Sequence, residues 1–196
     1  MSNRSERRKQ FQKQRQRQTV WKVLIGLGAL ALLVFVVSSL MDTASNIPQE
    51  RGVIPAEVNR PAPELTLENV AGGSESLADY RGQVVLVNNW ATWCPPCKAE
   101  MPTLAEYYNA HAAQGFMIIA VEAGEPRAQV QAFVDQLKLP FTVWLDPNGA
   151  ALEAFNNASL PNSYVIDRSG TIRLMWTGEI TKEALEKYVT PLLDEG

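Results

Sequence analysis

The stretch from Val84 to Met101, VVLVNNWATWCPPCKAEM, constrains the chain path more than any other part of the sequence. Val84 to Val87 is a short, β-branched apolar run and predicts a buried strand. Cys94 follows just beyond the strand's end. Pro95 suits the first turn of a helix, where a missing N–H has no partner to lose, and Lys98 to Tyr108 continues with helix formers. Cys94 therefore caps a helix N-terminus. There the unpaired amides and the helix dipole favour a thiolate, which can bring a thiol from about 8.5 down to roughly 3.5–7.5. Cys94 is the candidate nucleophile. Cys97, one turn further on the same face, is the candidate resolving thiol, placed to attack a mixed disulfide at Cys94. Pro95 and Pro96 remove two backbone donors near Cys94, which weakens thiolate stabilisation relative to a pair with free amides.

These are the only two cysteines in 196 residues, with one histidine, His111. A zinc site needs about four ligands, and haem attachment needs a histidine directly after the second cysteine, where Lys98 stands. No metal or cofactor is expected. A structural disulfide across so short a loop would constrain the unfolded chain little.

The net charge of −3 conceals an asymmetry. Up to Lys22 the chain carries Arg4, Arg7, Arg8, Lys9, Lys13, Arg15, Arg17 and Lys22 against the single acid Glu6, whereas acids outnumber bases in the remainder. Between them, residues 23–41 carry no charge and would span about 28 Å as a helix, close to a bilayer's hydrocarbon thickness. This predicts one membrane anchor at 23–41 with a basic cytoplasmic tail at 1–22 and the rest of the chain outside, by the positive-inside rule. Trp21 stands where an interfacial aromatic would. A cleaved signal peptide is the competing reading, but the residues around Ser39 and Ala44 make a poor small-x-small site. The Gln- and Arg-rich tail reads as solvated rather than as nucleic-acid binding. Residues 42–59, with Pro48 and Pro55 among polar residues, read as an extended linker that continues to about Pro63, and residues 60–196 as the folded domain.

Within that domain, Leu65 and Leu67 alternate with polar neighbours, Gly72 and Gly73 turn the chain, and Ser76 with Leu77 returns it, which predicts a hairpin. Phe116 to Val121 is a second apolar strand, Arg127 to Leu139 has helical apolar spacing, and Thr142 to Leu145 is a third strand. Strand, helix, strand implies a right-handed crossover and parallel pairing. Ala151 to Phe155 is helix-like. Tyr164 to Ile166 and Thr171 to Trp176 form an antiparallel hairpin, and Thr181 can cap a last helix. The fold class is α/β, a mixed central sheet flanked by helices and preceded by one N-terminal transmembrane helix.

The segment NNWATWCPPCKAEMPTL resembles the active-site segment of the membrane-anchored, TlpA/ResA-like branch of the thioredoxin superfamily, and the similarity runs from about Arg60 to Val189. The resemblance implies a thioredoxin-like fold and an extracytoplasmic thiol-disulfide oxidoreductase that reduces protein disulfides. It also implies a membrane thiol-electron carrier as reductant and apocytochrome c as a client. SLPNSYVID aligns with the branch's cis-proline loop, so Pro161 is expected to be cis and to pack against the cysteine pair, with the Leu160 backbone pairing with substrate. Glu100, which shares the Cys97 face, corresponds to a partly buried glutamate that exchanges protons with the cysteines. Trp93, Pro95 and Pro96 would border the bound substrate, with Trp93 shielding the disulfide and Trp90 packing. Asn88 stands where general thioredoxins carry a buried acid. Asn89 departs from the branch's large apolar residue, and a buried amide there needs partners. Two other readings compete: a thiol peroxidase of the AhpC/TSA type, although Thr92 precedes Cys94 by two residues and not three, and a redox-inert peptide-binding module, against which the intact CxxC argues.

Overall fold

A computed structural model describes residues 54–195. The expected cytoplasmic tail and transmembrane anchor lie outside the described residues, and no helix among the described residues is long and apolar enough to cross a membrane. Among the described residues, eight strands form one sheet in the order β1-β8-β7-β4-β5-β6-β2-β3. Val84–Trp90 forms β4, buried along its whole length. It pairs in parallel with β5 (Phe116–Glu122) and antiparallel with β7 (Asn162–Ile166). A strand with neighbours on both edges and layers on both faces has no solvated position, which is why Val84–Val87 reads as an apolar run and why Asn88 and Asn89, which continue the strand, are buried as well.

The crossover from β5 through α2 (Arg127–Leu137) to β6 (Thr142–Leu145) is parallel, as expected from strand–helix–strand order. The hairpin of β2 (Thr66–Asn69) and β3 (Ser74–Ser76) joins the sheet through β6, and β7 pairs antiparallel with β8 (Thr171–Thr177). One difference from the sequence reading is at the domain's start. Residues 56–61, placed mostly in the linker, form β1 (Ala56–Pro61) and pair antiparallel with β8. The strand is almost wholly exposed. An edge strand needs neither apolar alternation nor every N–H, so Pro61 is tolerated there and the segment carries no strand signature.

The two sheet faces bury separate clusters. On one, Leu86, Ile118, Val143 and Val165 meet Met101 and Leu104 of α1 (Pro95–His111), Val130 of α2 and Leu185 of the C-terminal helix α4. That last element runs from Lys182–Ala184, capped by the Thr181 side chain, through a wide π turn at Leu185–Val189 to Thr190–Asp194. The π turn precedes Pro191, which has no N–H for the ordinary i−4 bond. On the other face, Val87, Val121, Trp144 and Tyr164 pack under Leu65, Leu77 and the short α3 (Ala150–Ala154). Period-2 alternation thus sends Asn88 towards the α1 face and Asn89 towards the other.

Candidate active site

Cys94 is the N-cap of α1 and Pro95 occupies its first turn, as the spacing predicts. With prolines at 95 and 96, the first free amides of the helix are those of Cys97 and Lys98. The Cys97 N–H donates to Cys94 Sγ at 3.3 Å and the Lys98 N–H to the Cys94 carbonyl at 3.1 Å. The two cysteines form a disulfide and are nearly inaccessible, Cys94 at 3% and Cys97 at 0% exposure. Pro95 and Pro96 are exposed at the rim, and Trp93 is 64% exposed, so its ring offers an open aromatic surface beside Cys94.

Glu100 lies on the same helix face and is fully buried. Oε1 accepts from Asn88 Nδ2 at 2.8 Å and Oε2 from the Ile180 N–H at 2.9 Å. Burial raises its pKa to about 7, against the lowering effect of these two donors. A carboxyl poised there can gain or lose a proton at neutral pH. Asn88 Nδ2 also donates to Ser163 Oγ at 2.9 Å, so one amide links the central strand, α1 and β7.

The Leu160–Pro161 peptide bond is cis and Pro161 is buried, its carbonyl accepting from the Gly178 N–H at 2.8 Å. Leu160 packs against the cluster that contains Cys94 and Cys97. Asn89, whose direction the sequence left open, is buried and donates through Nδ2 to Asn162 Oδ1 at 2.8 Å. Asn162 passes the tie on, donating to Ser159 O at 2.5 Å and Asn157 O at 3.4 Å. The unusual amide on β4 therefore fastens the proline loop to the central strand.

Several residues of this region went unread in the sequence. Ser163 and Asn162 follow Pro161 on β7, where alternation would have placed one on each face. Glu122 extends the apolar strand by one residue, on the Trp90 side of the sheet, and burial followed by the adjacent Glu125 carboxyl raises its pKa to about 8. Glu125 accepts from both the amide and the hydroxyl of Thr92. It lies in a loop, where no periodicity marks it.

The AhpC/TSA family model matches residues 58–175. The thiol-disulfide oxidoreductase ResA of Geobacillus kaustophilus is 38% identical over 132 residues, covering 67% of this chain and 76% of that protein. ResA of Bacillus cereus (strain ATCC 10987) is 37% identical, with 68% and 77% covered. The chain belongs to the AhpC/TSA family, as a ResA-like thiol-disulfide oxidoreductase. Solved structures agree with the ResA-like fold. A thiol:disulfide interchange protein of the thioredoxin family from Chlorobium tepidum superposes with a TM-score of 0.64 at 27% identity, covering 70% of this chain and 99% of that one. The thioredoxin domain of a thiol-disulfide oxidoreductase from Bacteroides vulgatus gives 0.62 at 26%, covering 70% and 98%. Cys94 and Cys97 are the chain's only cysteines, and they are joined at the start of α1.

Proposed function

We propose that this ResA-like protein is a membrane-tethered, extracytoplasmic reductase of protein disulfides, with tail 1–22 in the cytoplasm, anchor 23–41, a linker over 42–59 that yields to β1, and the folded domain outside. Apocytochrome c is the client that kinship suggests. The Cys94 thiolate attacks one sulfur of the substrate disulfide, whose S–S bond breaks as the Cys94–substrate bond forms. The departing substrate sulfur takes a proton. Cys97 then gives its proton to the Glu100 carboxylate and attacks Cys94 Sγ; the Cys94–substrate bond breaks, and the second substrate sulfur leaves as a thiolate that takes that proton from Glu100. Two electrons and two protons have moved to the substrate, and Cys94–Cys97 is left oxidised. A membrane dithiol carrier restores it by the same exchange in reverse. Trp93, Pro95 and Pro96 form the rim against which the substrate lies, and the backbone of Leu160 beside Pro161 pairs with its extended segment.

The observation that carries the reading is the disulfide at the start of α1 with the buried Glu100 behind it on the same helix face. The reductive direction draws support from Pro95 and Pro96. They leave the Cys97 amide as the donor recorded on Cys94 Sγ. Modest stabilisation of the thiolate keeps the dithiol high in free energy and makes the pair a reductant. Equilibrating the full-length protein with dithiothreitol or glutathione buffers tests this. A potential near thioredoxin's, about −270 mV, is expected, and one near about −120 mV overturns the reductive direction. Turnover of a protein disulfide should vanish in Cys94→Ser.

A further inference from the structure

Glu125 stands in the loop between β5 and α2 and takes no part in the chemistry above. Its carboxylate grips a single residue twice: Oε2 accepts from the Thr92 N–H at 2.6 Å and Oε1 from the Thr92 hydroxyl at 2.5 Å. Gln129, in the first turn of α2, donates to the same carboxylate and, at 3.0 Å, to the Thr92 hydroxyl oxygen. Thr92 lies two residues before Cys94, inside the turn that the Cys94 N–H closes on the Ala91 carbonyl at 3.2 Å. The end of β5 and the start of α2 are thereby fastened to the turn that delivers the nucleophile.

Behind this clamp is Glu122, fully buried, with Oε2 accepting from the Glu125 N–H at 2.9 Å and Oε1 receiving no donor. Burial and the neighbouring Glu125 keep Glu122 protonated at neutral pH. Burial acts to raise Glu125 as well, yet the donors from Thr92 and Glu122 hold its pKa below the usual carboxylate value. The pair therefore carries one negative charge, and it resides on the carboxyl that touches Thr92.

We propose that Glu125 is a positioning residue that biases Cys94–Cys97 towards the disulfide, because it locks the turn carrying Cys94 in the geometry seen with the bond closed and sets a negative charge on that turn. Both effects act in one direction. The closed pair is uncharged, whereas the open pair holds a thiolate whose charge the carboxylate opposes. The locked turn keeps the two sulfurs in register for bonding, which is lost if Thr92 is released. This rests on Cys94–Cys97 being the redox pair, which loss of disulfide turnover in Cys94→Ser tests on its own.

The experiment equilibrates full-length wild type, Glu125→Ala, Thr92→Val, Thr92→Ser and the Glu125→Ala/Thr92→Val double variant with glutathione buffers, and counts free thiols by alkylation and mass. Glu125→Ala and Thr92→Val should each shift the equilibrium towards the dithiol by about fivefold, the order expected for one partly screened charge or one lost constraint. Thr92→Ser, which keeps both donors, should stay within about twofold of wild type, and the double variant should go no further than the larger single, since both remove one clamp. Equilibria within about twofold of wild type for both single variants would overturn the proposal, even with lowered melting temperatures, because the clamp would then serve stability alone. So would a double variant whose shift is the product of the two singles.

Discussion

A carboxyl that titrates near neutrality matters to a reaction only if its proton changes hands, and the role proposed for Glu100, as base for Cys97, asks for that. Its two donors, Asn88 Nδ2 and the Ile180 N–H, favour the carboxylate, while burial favours the acid and wins, placing the pKa at about 7. As base for Cys97 it works only when ionised, so the rate of the resolving step should rise with pH through about 7. Glu100→Gln should lose that inflection and slow resolution by about 10²-fold or more, at the lower end of general base effects. Stopped-flow decay of a mixed disulfide across pH 5.5–8.5 measures both. At this scale the helical spacing from Cys97 made Glu100 legible in the sequence, but its partners come from β4 and from the segment after β8, and no local pattern links them. Asn89 shows the same limit: its need for a partner was legible, and the partner, Asn162, was not.

Elements were read with more success, because periodicity and caps are local. The strand at Val84, the helix capped by Cys94, the hairpin at Gly72 and Gly73 and the Thr181 cap all stand where the sequence put them. What binds the hairpin to the sheet was hidden. Glu75, in β3, accepts from Tyr80 Oη at 2.5 Å, from Trp144 Nε1 at 2.7 Å and from Asn69 Nδ2. Burial pushes its carboxyl up, but these donors together hold it below the ordinary value. Replacing it with alanine leaves the Trp144 indole N–H and the Tyr80 hydroxyl without their acceptor. Glu75→Ala should therefore cost about 2–3 kcal/mol in urea unfolding, the scale of losing bonds to a charged group. The carboxylate joins the β2–β3 hairpin to β6 across the outer edge of the sheet, where the β2–β6 ladder itself covers only Glu68 and Asn69.

For the whole molecule, two buried acids set how stability depends on pH. Glu100 at about 7 and Glu122 at about 8 both lie above the unfolded value of about 4.5. The folded state therefore holds protons that the unfolded state has released, so stability is greatest below about pH 4.5 for these groups and falls as pH rises towards 7–8. Glu122→Gln, which keeps a neutral amide in place of the acid, should flatten part of that fall and leave the variant up to about 4 kcal/mol more stable than wild type at pH 8.5, relative to pH 5, because the acid's titration spans about three pH units of that window at about 1.4 kcal/mol each. Denaturant midpoints at the two pH values measure it. The family resemblance implied a proton-exchanging Glu100, but nothing in the sequence marked Glu122 as titrating near neutrality, because burial of a carboxylate depends on which distant strands and helices close over it. The α/β class of the folded domain was legible for the opposite reason, since each central strand and helix carries its own pattern. β1 carried none, and its pairing has a further consequence. Ala56 faces Met175, so among the described residues β1 finds its ladder partner only in β8. As the chain is synthesised, β1 emerges long before β8 exists. The sheet's centre, β4 with β5, can form while β1 still waits, and that edge can zip shut only once β8 has been made.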